Sequence, residues 1–71
     1  MKNKLEEIRK KFNYTQEELA DKLRVSRQTI NSLENGKYNP SIQLAFKLAK
    51  LFDMSIESIF IFEEDENGKE S

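Results

Sequence analysis

The sequence predicts an all-α fold, a compact bundle of five short helices around one core. Three observations carry this expectation. Apolar residues recur at helical spacing in five separate stretches, and residues suited to helix N-termini stand at the head of most of them. Charged residues make up 35% of the chain, as expected of short helices with solvated faces. With 71 residues, 37% of them hydrophobic, the chain supports one domain. A chain of this size buries only about 60% of the surface its unfolded form exposes, which leaves little room for a deep cleft.

Taken in order, Leu5, Ile8 and Phe12 fall at i, i+3 and i+7, an amphipathic stripe through residues 3–12. Asn13-Tyr14 breaks it. Thr15 opens a second helix, and Glu18 stands three residues on, the spacing of a capping box. Leu19, Ala20 and Leu23 supply its buried face. Arg24-Val25 interrupts, and Ser26 can cap a third helix with Ile30 and Leu33 on one side. Asn35-Gly36 ends that helix, because Gly readily takes the left-handed conformation found there. Lys37 to Pro40 is a loop, with Pro40 suited to the first turn of a fourth helix over about residues 41–52. The apolar residues of that helix, from Ile42 to Phe52, cover an arc of roughly 220°, wider than an ordinary surface stripe, so it is expected to be central. Ser55 caps a short fifth helix carrying Ile56, Ile59 and Phe60. Ser58 to Phe62 also has strand propensity, so the chain can extend there as a short C-terminal strand and pair with residues 1–4 or with a second copy. Glu63 to Ser71 has no apolar residue and reads as an acidic, disordered tail, which puts the domain at residues 1–62 and the tail at 63–71.

Composition narrows the function. The absence of cysteine excludes disulfide frameworks and thiolate metal sites, and the absence of histidine removes the commonest general base and metal ligand. An enzyme is not expected, nor a metal or other cofactor. The longest apolar run is Ile59 to Phe62, too short for a membrane span. Lys2 and Lys4 lead into Glu6-Glu7 and not into an apolar stretch, so no secretory signal is expected and the protein should be cytoplasmic. The net charge of −1 is uneven along the chain. Residues 1–50 hold eleven Lys/Arg against six Asp/Glu, a balance of +5, while residues 51–71 hold one Lys against seven acids, a balance of −6. A basic body with an acidic tail raises the expectation of a polyanionic partner.

Residues 16–35 sharpen that expectation. Two helices of about eight residues joined by a short turn, within an all-helical bundle, form the helix-turn-helix arrangement. Such a unit needs a small residue where the helices cross, and Ala20 supplies it. Its turn needs apolar cover, which Leu19, Leu23, Val25, Ile30 and Leu33 provide. Its second helix must begin with polar side chains free to enter a groove, and Ser26-Arg27-Gln28 stands there.

The stretches Thr15 to Ala20, Val25 to Ile30, Leu33 to Lys37 and Asn39-Pro40-Ser41 resemble the Cro/phage-repressor-like (Xre) family of transcriptional regulators. The likeness runs from residue 4 to about residue 60. It implies the lambda-repressor-like fold of five helices, and an ion pair of Arg9 with Glu34 that fixes how the recognition helix is presented. At the turn position held by Arg24 the family often has Gly or Asn, since the backbone there is left-handed. A non-glycine residue in that conformation costs roughly 1 kcal/mol.

In that light Arg27 can donate twice to guanine O6 and N7, and Gln28 can pair with adenine N6 and N7. Asn31 and Ser32, one turn on, complete the set expected to touch bases. Gln16, at the positive end of its helix, is expected on a DNA phosphate by resemblance, together with Ser26, Lys37 and Tyr38. Such contacts set register and do not read sequence. The resemblance further implies a homodimer on palindromic double-stranded DNA, acting as a repressor or autoregulator. Ile56, Ile59, Phe60, Ile61 and Phe62 form the expected dimer interface, unless they close the monomer's own core. The competing reading is an antitoxin-like or adaptor protein that uses the same fold to hold a regulatory protein partner.

Overall fold

Caps written into the sequence set the helix boundaries. The structure, a computed structural model, describes residues 2–61. In chain order it contains β1 (Lys2–Asn3), α1 (Leu5–Lys11), α2 (Gln16–Leu23), α3 (Arg27–Glu34), α4 (Ile42–Phe52), α5 (Ile56–Ile59) and β2 (Phe60–Ile61). Thr15, Ser26, Ser41 and Ser55 each accept, through the side-chain oxygen, the backbone N–H three residues ahead. At Thr15 the bond is reciprocal: Glu18 Oε1 accepts the Thr15 backbone N–H at 2.9 Å, which closes the capping box. α1 starts differently. Lys4 makes no side-chain cap, and Asn3 Oδ1 takes the Leu5 N–H at 3.0 Å instead.

The C-terminal ends are equally well closed. After each of α1 to α4 one residue turns left-handed: Asn13 (φ 63°), Arg24 (φ 61°), Gly36 (φ 75°) and Asp53 (φ 56°). The N–H of that residue and of the next reach back to carbonyls of the last turn, as in Val25 N–H to Ala20 O at 3.0 Å and Lys37 N–H to Ser32 O at 3.0 Å. This is the Schellman arrangement, which satisfies carbonyls a helix end otherwise leaves unpaired.

The core gathers the inner face of every helix. Leu5, Leu19, Ile30, Leu33, Leu48 and Ile59 are fully enclosed, with Ile8, Ala20, Leu23, Phe52 and Phe60 beside them. Phe12 lies just past α1 and is 46% exposed, its ring resting on Phe52 at a centroid distance of 4.8 Å.

Several expectations need adjusting. α1 begins at Leu5 because Lys2 and Asn3 form a strand, paired antiparallel with β2 in the register Lys2 to Ile61 and Asn3 to Phe60. This is the pairing with residues 1–4 that the sequence allowed. Asn3 anchors this ribbon, since its Nδ2 donates to the Leu33 carbonyl at 2.7 Å. Pro40 lies ahead of α4, not in its first turn, because the Ser41 hydroxyl accepts the Leu44 N–H and takes the cap. α4 packs against α2 and α5, and its enclosed residues are Leu44, Ala45, Leu48 and Phe52. Ile42 (73% exposed) and Phe46 (59%) stand outside, so the wide apolar arc is only partly used. The expected tail, Glu63 to Ser71, lies outside the described residues.

Candidate nucleic-acid interface

The turn between α2 and α3 brings the two helices together at Ala20, which is 3% exposed. Arg24 bends the chain (φ 61°, ψ 44°), as a Gly or Asn would with less strain. Val25 folds back over Ala20, and Ser26 starts α3 one residue later. The inner side of α3 is then committed through Ile30 and Leu33, and its outer side is polar.

A polar network of four residues fixes the far end of α3. Arg9 Nε donates to Glu34 Oε2 at 2.6 Å and Arg9 Nη2 to Glu34 Oε1 at 3.3 Å. The two side chains are 10% and 4% exposed, so the pair is largely out of water. Arg9 Nη1 also donates to the Tyr14 carbonyl at 2.9 Å. Gln16 Nε2 adds a bond to Glu34 Oε1 at 3.0 Å. α1, the start of α2 and the end of α3 are thereby tied at one point. A charged pair with this many partners holds direction better than an apolar contact would, because hydrogen bonds to ionised groups are short and angle-dependent.

Arg27, Gln28 and Asn31 are exposed on α3, and Ser32 is half-buried. Ser26, Gln28, Ser32, Lys37 and Tyr38 line one shallow concavity. Arg27 instead faces a second concavity, with Arg9, Thr15, Gln16 and Glu17. The outer side of α3 thus separates two hollows, one bordered by the loop after α3 and the other by the start of α2. Asn31 Oδ1 accepts from Asn35 Nδ2 at 3.0 Å, which leaves the Asn31 amide hydrogens for another acceptor. Sequence reasoning did not single out Thr29. It lines the first concavity, and its Oγ1 lies 2.9 Å from Ser26 Oγ, so it sets how the cap hydroxyl points. Its spacing of three from Ser26 was a usable signal. The bond from Gln16 to Glu34 links residues eighteen apart and has no local signal.

The residues expected at a dimer interface separate. Ile59 (0% exposed) and Phe60 (6%) close the protomer's own core and cannot meet a second chain without opening it. Ile56 is half-buried against that core and Ile61 is 37% exposed. Phe62 lies outside the described residues. Among the described residues no cluster of acidic side chains could hold a metal ion, and no helix is long and apolar enough to cross a membrane.

A capped pair of eight-residue helices, crossed over an alanine and presenting an exposed polar helix start, defines a helix-turn-helix protein. The comparisons agree. The helix-turn-helix family pattern matches residues 5–59. An uncharacterized HTH-type transcriptional regulator of Methanocaldococcus jannaschii is 62% identical over 66 residues, covering 93% of this chain and 100% of its own. A counterpart in Archaeoglobus fulgidus is 56% identical, covering 93% of each chain. A crystal structure of a transcriptional regulator from Listeria innocua superposes with a TM-score of 0.75 at 21% identity, over 92% of this chain and 65% of that one, a likeness of fold. The chain belongs to the Cro/Xre-like helix-turn-helix family of DNA-binding transcriptional regulators, a family of regulators and not of enzymes.

Proposed function

We propose that this chain is a cytoplasmic, sequence-specific regulator that binds a palindromic double-stranded operator as a homodimer and represses transcription, its own included. One observation carries the reading: Arg27 and Gln28 are exposed at the N-terminal end of a helix whose other end is locked by the buried Arg9–Glu34 pair. A major groove about 12 Å wide admits such a helix. Arg27 and Gln28 then meet base edges first, with Asn31 and Ser32 a turn deeper. Ser26, Lys37 and Tyr38 on one flank and Gln16 on the other fall toward the two phosphate ridges. Gln16 keeps its carbonyl and one amide hydrogen beyond its bond to Glu34.

Residues 2–61 carry eleven basic and eight acidic side chains, a balance of only +3. Charge alone therefore gives weak binding, and base contacts and pairing of two copies must supply the rest. Selection of bound sites from a random DNA pool tests the proposal. The expected product is an inverted repeat with half-sites about 34 Å apart, bound with an affinity that falls log-linearly with salt. A pool that enriches no sequence, or binding insensitive to salt, refutes it and favours the adaptor reading.

A further inference from the structure

Asn31 stands on the outer face of α3, within about 60° of arc of both Arg27 and Gln28, and is exposed as they are. Both of its acceptors are tied to Asn35, one turn on. The Asn35 backbone N–H donates to the Asn31 backbone carbonyl at 3.0 Å, and Asn35 Nδ2 donates to Asn31 Oδ1 at 3.0 Å. Asn35 is itself held in place. The chain turns left-handed directly after it at Gly36 (φ 75°), whose N–H returns to the Leu33 carbonyl at 3.0 Å.

A side-chain amide has two unlike ends: its oxygen only accepts and its nitrogen only donates. With Oδ1 drawn back along the helix toward Asn35, the end of the Asn31 amide left for another molecule is Nδ2 with its hydrogens. The opposite orientation would set two NH2 groups against each other and lose the bond. An amide–amide hydrogen bond of ordinary net strength biases that choice about fivefold.

We infer that Asn35 is a positioning residue for DNA specificity: by holding the Asn31 amide with its hydrogens outward, it makes Asn31 select guanine. The inference rests on the reading above that α3 enters the major groove, and deepens it by naming a base. Guanine offers two acceptors there, N7 and O6, and suits a group that only donates. Adenine pairs with an asparagine that gives a hydrogen to N7 and takes one from N6, which needs Oδ1 turned to the base. In this chain that oxygen is turned to Asn35, and the adenine N6 amino group would meet a second donor. Cytosine is opposed for the same reason through N4, while thymine, with O4 as its one acceptor, ranks between. Asparagine as a residue type favours adenine, so the bond to Asn35 reverses the preference.

Competition binding of the full chain to a selected operator and its single-base variants tests this. Asn31→Ala locates the base pair that Asn31 faces, as the position where preference is lost. At that pair the unsubstituted chain should favour guanine over adenine by about fivefold or more. Asn35→Ala frees the amide, and the ratio should fall by about threefold or more. Asn35→Asp has the same shape but can only accept. It should draw Asn31 Nδ2 toward itself, turn Oδ1 outward and reverse the ratio in favour of adenine. Its added charge weakens binding to every variant alike and cancels in the ratio. Preferences at the pairs lost in Arg27→Ala and Gln28→Ala should stay within about twofold in both Asn35 variants, which a general disturbance of α3 would not allow. Three results would each overturn the inference while leaving α3 as the reading helix through Arg27 and Gln28. They are adenine favoured by the unsubstituted chain, a ratio that neither Asn35 variant moves, and an Asn31→Ala change that flattens no position. A pool that enriches no sequence removes the operator reading, and this inference with it.

Discussion

Replacing Arg9 by Met removes a charge from a place largely closed to water. The side chain donates to Glu34 twice and to the Tyr14 carbonyl once, and Glu34 is 4% exposed. After the change Glu34 keeps the Gln16 amide, and the Tyr14 carbonyl loses its side-chain donor. Removing one partner of a buried pair costs about 3–5 kcal/mol, most of it the penalty of the uncompensated charge. Met retains the apolar stem and Arg9 is not fully sealed, so the lower end, about 3 kcal/mol, is expected. For a domain of this size total stability is roughly 4–9 kcal/mol, so the loss is a large share of it. The melting temperature should fall by about 12–24 °C. The double variant Arg9→Met with Glu34→Leu removes both charges and should lie within about 1.5 kcal/mol of the original, since apolar replacement of a whole pair is often neutral. Urea denaturation followed by circular dichroism of Arg9→Met, Glu34→Leu and the double variant gives the coupling energy of the pair. A loss below about 1 kcal/mol for Arg9→Met, or a double variant no better than the single ones, would refute the claim that desolvated charge governs this site.

Other outcomes follow from the same geometry. Arg24→Gly relieves a left-handed residue at a cost in unfolded-state entropy, for a net gain of up to about 1 kcal/mol in thermal melts, whereas Gly36→Ala at φ 75° should cost about 1 kcal/mol. On a selected operator, Arg27→Ala and Gln28→Ala should each cost about 1–3 kcal/mol and relax preference at one base pair, as read by competition with singly substituted sites. Lys37→Ala should weaken all sequences alike and reduce the salt slope by about 1, a result that titrations at several salt concentrations can deny. Removing residues 64–71, which hold four acids, should strengthen binding to random DNA at low salt; unchanged affinity would show that these charges do not compete with phosphate.

What the sequence made legible was local. Thr15 with Glu18, Ser26, Ser55 and Asn35-Gly36 act within one helical turn, so their roles can be read without knowing what packs where. The polar start of α3 was legible for the same reason. Features that depend on distant neighbours were not. Asn3 looks like an ordinary polar residue near a terminus, yet it bonds to Leu33 thirty residues away and sets where α1 begins. The apolar arc of α4 suggested a central helix, but arc width does not say how many neighbours a helix has inside its own chain. Phe60 and Ile61 alternate in a strand, and only the pairing with Lys2 and Asn3 decides that Phe60 faces inward.

The ribbon joining Lys2–Asn3 to Phe60–Ile61 also fixes where additions to this domain would emerge. Lys2, Asn3 and Ile61 share one hollow with Asn35 and Gly36, the residues that close α3. Any segment continuing from either strand therefore departs from a single site at the rear of α3. A short loop could join the two strands covalently, and a permuted chain opened elsewhere, for instance between Lys37 and Asn39, would keep every helix intact. A domain joined directly before Lys2 or directly after Ile61 would start from the same place on the fold, so moving a fusion from one strand end to the other should leave its position relative to α3 nearly unaltered.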